Sequence, residues 1–478
     1  MTHSPTDSTE RNDPVRLVYL VALVASHGLI RLAERYLPEF LSALGYGPIV
    51  VGSLATLGFG VAVAASERST GVTDHGSATN LETTATAVLS TALAAIGLFA
   101  WAGSPTLDTL LGTPLSAIGW LATGIVLLQA WHIAGPARGL WPIDTRTPAQ
   151  PSSASAAMGD ETADEGSRTV RRAVTADGPT RTVVGAFGVA AAAVFSTAAV
   201  ASADAVGAGF ALVATTGAAF ALVGAVAVGI GRDRSPTFGD DPQRDRRENG
   251  ERSESGRRED DGPTAAEPDG DFELSDFRTA VSRVPDRRRF AIIGDALVRV
   301  AVAGVVPYLI LLTVEYRSIG LSVGGVSLAP VAIFGLFVLT EAGGAILGSM
   351  AAPALRSRLD RRALLAVGLA VLSLLPMALV AAPARAGVVA SLFGLLGCRT
   401  AIDPLRPTIG SDTQASPVPG PRLPREIRIA VRIAIVPAPL IGGILYAIDP
   451  LVAFTGATTV GLLGVRELGR AFAFGRHR

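Results

Sequence analysis

The stretch GDALVRVAVAGVVPYL, Gly294 to Leu309, holds an acid and a base, Asp295 and Arg299, four residues apart in an otherwise apolar run. On a helix that spacing puts both on one face, where Asp295 can supply the countercharge for Arg299. Counted from Phe290, which opens the run, Arg299 lies nine residues in, about 13 Å along a helix axis. If the axis crosses a bilayer, an isolated Arg at that depth costs about 2.5 kcal/mol or more, so it must face water or a partner. Such a pair can bind the anionic part of a ligand, form part of a gate, or tie helices together.

Other ionisable groups stand in similar surroundings. His27, Arg31 and Glu34 approximate one helical stripe, while Arg35 and Glu39 fall toward the far end of the same run and can reach water. Arg31 and Glu34 are candidates for a cavity or an outer gate, with a structural pair as the alternative. Glu341, in FGLFVLTEAGGAILG, has no basic residue near it in sequence. An unpaired carboxylate in a low-dielectric site takes up a proton readily, which makes Glu341 the candidate for proton coupling. The alternative is a carboxyl bonded to a neighbouring helix, for instance to Arg299. Arg399 and Asp403 again stand at i and i+4, at the end of an apolar run, where a structural or gating pair is favoured over ligand contact. His132, beside Gln129 and Trp131, lies at the inner end of its run and reads as an interfacial group.

The elements that position these residues follow from composition. The chain of 478 residues is 49% hydrophobic and 17% charged, with a mean hydropathy of +0.42, values that point to lipid. Apolar runs of about 20 residues recur, each long enough to cross about 30 Å of hydrocarbon, and strand-like alternation is absent from them. Helices are therefore the spanning elements. Twelve spans are expected, at roughly 15–37, 48–65, 84–103, 115–135, 182–202, 207–231, 290–313, 324–352, 363–382, 386–402, 427–447 and 450–473. They divide into an N-terminal six-helix bundle, 15–231, and a C-terminal one, 290–473.

Between the bundles, 232–289 contains DDPQRDRRENGERSESGRREDDG, which is too polar to offset its chain entropy and reads as a disordered charged linker. A polar insertion, 136–181, interrupts the first bundle, and short tails, 1–14 and 474–478, flank the whole. Arg collects in alternate connections, including 138–181, the central linker, Arg356 to Arg362, and the C-terminal end, which places them and both termini in the cytoplasm. The protein is thus expected to be a multi-pass protein of the cell membrane.

GSMAAPALRSRLDRRALLAVGLAVLSLLP, Gly348 to Pro376, connects the eighth and ninth runs. Together with the six-plus-six arrangement, it resembles the major facilitator superfamily of secondary transporters, which carries a Gly-x-x-x-Asp-Arg-x-Gly-Arg-Arg type loop there. Pro353 stands for the first Gly, Ser357 for the acid and Asp360 for the second Gly, while Arg358, Arg361 and Arg362 match the basic positions. IAIVPAPLIGGILYAIDPLVAF, Ile433 to Phe454, is similar to that family's eleventh helix and outer turn. The connection ASERSTGVTDHGSATNLETT lacks the family's first-half loop signature, and the fifth run has no Gly-Pro pair. The resemblance implies an all-α fold of two pseudo-symmetric six-helix bundles in which spans 1 and 7 line a central cavity. It further implies a monomer that moves a small-molecule substrate by alternating access with a coupling proton or cation, and Arg358, Arg361, Arg362, Arg399 and Asp403 as gating or loop residues.

The single cysteine, Cys398, excludes an intrachain disulfide. Arg and the acids both total 41, so net charge offers no pull toward nucleic acid, and none is expected as a partner beside membrane lipid. Neither G-x-x-x-x-G-K-[ST] nor H-E-x-x-H occurs, and the single G-x-S-x-G, Gly320 to Gly324, falls in the short connection between two spans instead of between a strand and a helix, so an enzyme, a metal site or a cofactor is not expected. Two other readings stay open, a non-transporting sensor or scaffold on a transporter fold and, less favoured, a polytopic membrane enzyme.

Overall fold

The computed structural model describes residues 14–73, 80–111, 117–134, 177–233, 279, 282–323, 325–408 and 423–473. The tails 1–13 and 474–478, residues 135–176, and most of the central linker lie outside them, as do Arg138, Arg146, Arg168, Arg171 and Arg172. Twelve helical segments occur among the described residues. The first six are α1 (Pro14–Ala43), α2 (Pro48–Thr73), α3 (Asn80–Leu111), α4 (Ala117–Ala134), α5 (Asp177–Ser202) and α6 (Val206–Asp233). Then follow α7 (Asp286–Tyr316), α8 (Pro330–Arg358), α9 (Arg361–Ala381), α10 (Ala386–Ala401), α11 (Arg425–Ile435 and Ala438–Ile448) and α12 (Pro450–Ala473). Each coincides with one expected span, and α5 begins five residues before its span, inside what reads as polar insertion.

Among the described residues, nine helices are long and apolar enough to cross a membrane, and α4 and α10 are shorter apolar helices. The remaining helix is α1, whose apolar character is diluted by Arg31, Glu34, Arg35 and Glu39. Those charges are tolerable because they face protein or a cavity, whereas Phe187, Leu347, Met350, Val367 and Ile448 point outward, each more than 60% exposed, as lipid-facing side chains do.

Helix packing repeats between the halves. α1 rests on α5 and α6, and α7 on α11 and α12; α6 also packs on α3, as α12 does on α9. Between halves, α5 meets α8 and α2 meets α11. Adding six to each number exchanges these two contacts, which is the behaviour of an approximate dyad. Close approach is repeated too. A Cβ on Gly28 of α1 would meet the Gly188 carbonyl of α5, and one on Gly442 of α11 would meet the Gly304 carbonyl of α7.

Irregular backbone gathers at one end of α7 and α11. α7 is α-helical to Val305, then passes through a 3-10 turn at Val306–Tyr308, where Pro307 has no N–H to donate, and ends in a π turn at Leu312–Tyr316. α11 breaks at Val436–Pro437. A two-stranded antiparallel hairpin, β1 (Leu321–Val323) and β2 (Val326–Leu328), joins α7 to α8 and was not expected. The sequence LSVGGVSL carries its signal, two short β-prone runs around a Gly-Gly pair, and Gly325 adopts the positive φ of 86° that such a turn requires. The helical pattern beginning nearby hid it.

Candidate functional site

α1 presents Leu23, His27, Arg31, Glu34, Pro38 and Leu41 at three- and four-residue steps to a cavity of about 870 Å³ between the halves. Apolar walls come from Val51, Leu54 and Phe59 of α2, Ile125 and Leu128 of α4, and Val189 of α5. From the other half come Val306 and Pro307 of α7, Val338 and Glu341 of α8, and Arg399 and Thr400 of α10.

Glu341 is the hub. Its side chain is 9% exposed and accepts two hydrogen bonds from Arg35 Nη2, at 2.9 and 3.1 Å, and one from Arg399 Nη1 at 3.0 Å. Arg35 belongs to α1 and Glu341 to α8, so the ion pair crosses from one half to the other. Local packing brings Arg399 there: Gly397 lies so close to α8 that a Cβ would meet the Glu341 carbonyl oxygen. Thr400 Oγ1 donates to Ala345 O at 2.8 Å, and the last turn of α10, Cys398–Ala401, tightens to 3-10 form. Arg399 Nη1 also reaches Leu396 O at 3.3 Å.

The second ionic group is built on the residue next to Arg35 on α1. Glu34 lies 2.5 Å from His132 Nε2 of α4 and accepts from Arg31 Nη1 at 3.3 Å. Arg31 and Glu34 thus line the cavity, and Glu341 lines it with partners that sequence proximity does not reveal. Instead of being an unpaired carboxylate, it carries two guanidinium groups, neither of them Arg299. Arg35 and His132 stand in the site, although the sequence suggests an outer-end group reaching water for the one and an interfacial group for the other. Arg35 looks like an outer-end residue reaching water, yet its side chain is 19% exposed and its Nη1 is buried without a partner.

Asp295 and Arg299 do not line this cavity. Asp295 is fully buried and accepts from Arg406 Nε at 2.7 Å, from Thr408 N at 3.1 Å, and from the Thr408 hydroxyl. Its ionic partner is therefore Arg406, beyond the end of α10, and not Arg299, whose Nη1 lies 3.3 Å from Thr408 Oγ1. Asp403 pairs with Arg406 at 3.5 Å and not with Arg399. Burial raises the Asp403 carboxyl above its usual range, against the pull of Arg406. This cluster pins the segment after α10 to α7 within one half. At the α8–α9 turn, Asp360 caps α9 by accepting from Arg362 N at 3.3 Å, with Arg358 and Arg361 exposed beside it.

Hydrogen bonds between the halves gather on the side away from the termini. Tyr308 Oη, which donates to Pro439 O of its own half at 2.6 Å, lies 3.4 Å from Pro48 O across the seam; Leu440 N donates to Thr56 Oγ1 at 3.2 Å; Tyr36 Oη donates to Val331 O at 3.3 Å; and the Ser42 hydroxyl bonds Glu315. Glycines permit that seal, since a Cβ on Gly52 would strike both Tyr308 Oη and Pro439 O, 2.5 and 2.6 Å away. The polar cavity residues His27, His132, Thr182 and Arg399 belong instead to the halves of their helices nearer the termini.

No protein-family model matches this chain, and no curated protein does. Solved structures do. A POT family transporter in complex with a thioalcohol-conjugated peptide superposes with a TM-score of 0.57 at 12% identity, covering 97% of this chain and 96% of the other. The nucleoside transporter NupG gives 0.56 at 12% identity over 96% and 98%. The peptide transporter POT in complex with sulfate gives 0.57 at 13% identity over 96% and 94%. The fold is thus of the major facilitator type, an all-α membrane fold of two six-helix bundles, in a divergent sequence.

Proposed function

We propose that this protein is a secondary active transporter that carries a small solute across the cell membrane by alternating access. One observation carries the reading: Glu341 of the second half holds Arg35 of the first at the centre of a cavity, while the direct bonds between halves collect at one end. A rocking motion that opens the bonded end must lengthen or break the Arg35–Glu341 pair, so its strength sets part of the equilibrium between the two states. The structural neighbours, a POT family transporter in complex with a peptide conjugate and a nucleoside transporter, agree with a solute of modest size. Among the described residues, seven of the eight helices that meet the cavity bring apolar side chains to it, which leaves polar recognition to the charged groups described above and to Gln129, Thr182 and Thr400.

The arginines at the α8–α9 turn and the polar segments near the termini put the accessible mouth on the cytoplasmic side by the positive-inside rule. Glu341 is the coupling candidate: a proton there removes the charge that holds Arg35 and Arg399 and frees both guanidinium groups. Arg358, Arg361 and Arg362 serve the cytoplasmic turn, and Asp295, Arg299 and Asp403 hold the inner end of α7.

Reconstitution into vesicles tests the reading. With an imposed pH gradient, wild-type protein accumulates its solute, and Glu341→Gln exchanges solute across the membrane without accumulating it. A Glu341→Gln variant that accumulates solute like wild type removes this residue from coupling, and absence of any solute-dependent flux removes transport itself.

A further inference from the structure

We infer that the cavity takes a small organic anion, a carboxylate joined to an apolar body, held by Arg31 and Arg399 with Arg35 behind them. The inference rests on the transport reading and names the class of solute.

Charge is unbalanced in this cavity. Three guanidinium groups, Arg31, Arg35 and Arg399, face two carboxylates, Glu34 and Glu341. His27 and His132 add positive charge or none. Exposure sharpens the imbalance. The side chains of Arg31 and Arg399 are 50% and 33% exposed, whereas that of Glu341 is 9% exposed and that of Glu34 is 26%. The acids are also already engaged, Glu341 by Arg35 and Arg399 and Glu34 by His132 and Arg31. A cationic solute therefore finds no carboxylate free to receive it.

The donors, in contrast, exceed their acceptors. Each guanidinium offers five N–H groups in a planar fork that matches a carboxylate. Arg31 spends one contact on Glu34, Arg399 spends Nη1 on Glu341 and Leu396 O, and Arg35 leaves Nη1 buried without a partner. An anion entering the cavity meets net positive potential between low-dielectric walls, which strengthens the attraction. Leu23, Leu54, Phe59, Ile125 and Leu128 form those walls and suit an apolar body. The volume of about 870 Å³ admits a molecule of metabolite size.

Matched probes test the class. Purified full-length protein is titrated with benzoate, benzamide and benzylamine, with hexanoate, hexanamide and hexylamine, and with inorganic phosphate, while thermal stability and the fluorescence of Trp101 and Trp131 are followed. Saturable stabilisation is expected from the two carboxylates and not from their amides or amines. Arg31→Gln and Arg399→Gln should each weaken it about tenfold or more, the loss of one charge-assisted contact. Arg31→Gln controls for misfolding, because its side chain is half exposed and its one ion pair among the described residues is the exposed one with Glu34. Binding of the amines, equal binding of all three classes, a response to phosphate alone, or no response to any probe would each overturn the inference. Amine binding accompanied by amine uptake sinks the anion class and leaves transport standing; no response together with no uptake of any solute sinks both.

Discussion

Glu341 and Asp295 are both carboxylates held by arginine within the second half, and they have opposite situations. Glu341 faces a cavity, and one of its partners belongs to the other half. Asp295 is sealed inside its own half, with Arg406 6% exposed and two contacts to Thr408. The same chemistry thus yields a joint between the two halves in one place and a rivet within one half in the other. What separates them is whether the partner lies across the line along which the halves meet.

That contrast can be broken most severely at the rivet. Asp295→Ala takes from the buried Arg406 its shorter ion pair and leaves it only the 3.5 Å contact with Asp403, so a loss of about 3 kcal/mol is expected, read as a large drop in Tm and in the yield of folded protein. Replacing both partners, Asp295→Leu with Arg406→Met, should recover much of that loss, since the one partner then left over, Asp403, is 34% exposed and reaches water. A double variant as unstable as the single one assigns Asp295 some task beyond the pair.

The joint should respond differently. Glu341→Gln keeps most of the shape and some of the hydrogen bonding, and Arg35 and Arg399 both border a cavity that water can enter. Stability should therefore fall by no more than about 2 kcal/mol while uphill accumulation is lost. If Glu341→Gln unfolds the protein as Asp295→Ala does, the two carboxylates are alike and the distinction fails.

Smaller effects sharpen the picture. Tyr308→Phe removes a hydroxyl that joins α7 to α11 and approaches α2, and about 1 kcal/mol of support for the closed end should go with it. Cysteines introduced near that end should then react faster with a membrane-impermeant reagent. Smallest of all is the stability effect of Arg31→Gln: its pair with Glu34 is half exposed, and less than about 1 kcal/mol is expected in thermal unfolding.

Much of the architecture can be read from sequence, because lipid restricts a spanning segment to a helix of about 20 apolar residues. All twelve helices, and the break near Pro437, follow from that constraint and from proline chemistry. The hairpin at Leu321–Leu328 was legible in principle from its Gly-Gly pair but was overlaid by the start of the next apolar run. Ionic partners were not legible. Spacing of i and i+4 suggests Asp295 with Arg299 and Arg399 with Asp403, yet neither pair forms, since a tightened turn after Gly397 aims Arg399 at α8 and a downstream arginine reaches Asp295 first. Local spacing says which charges share a face; it says nothing about which other helix that face meets. Arg35 illustrates the point, since its partner Glu341 is 306 residues away.

That separation bears on how the chain is made. α1 enters the bilayer with Arg35 before the acid that neutralises it has been translated. At about 5–20 residues per second the wait is roughly 15–60 s. During that interval the nascent first half must shelter the guanidinium at the headgroups, in the insertion machinery, or on Glu34. The guanidinium meets its carboxylate only once α8 has emerged, so the first half is completed electrostatically by the second.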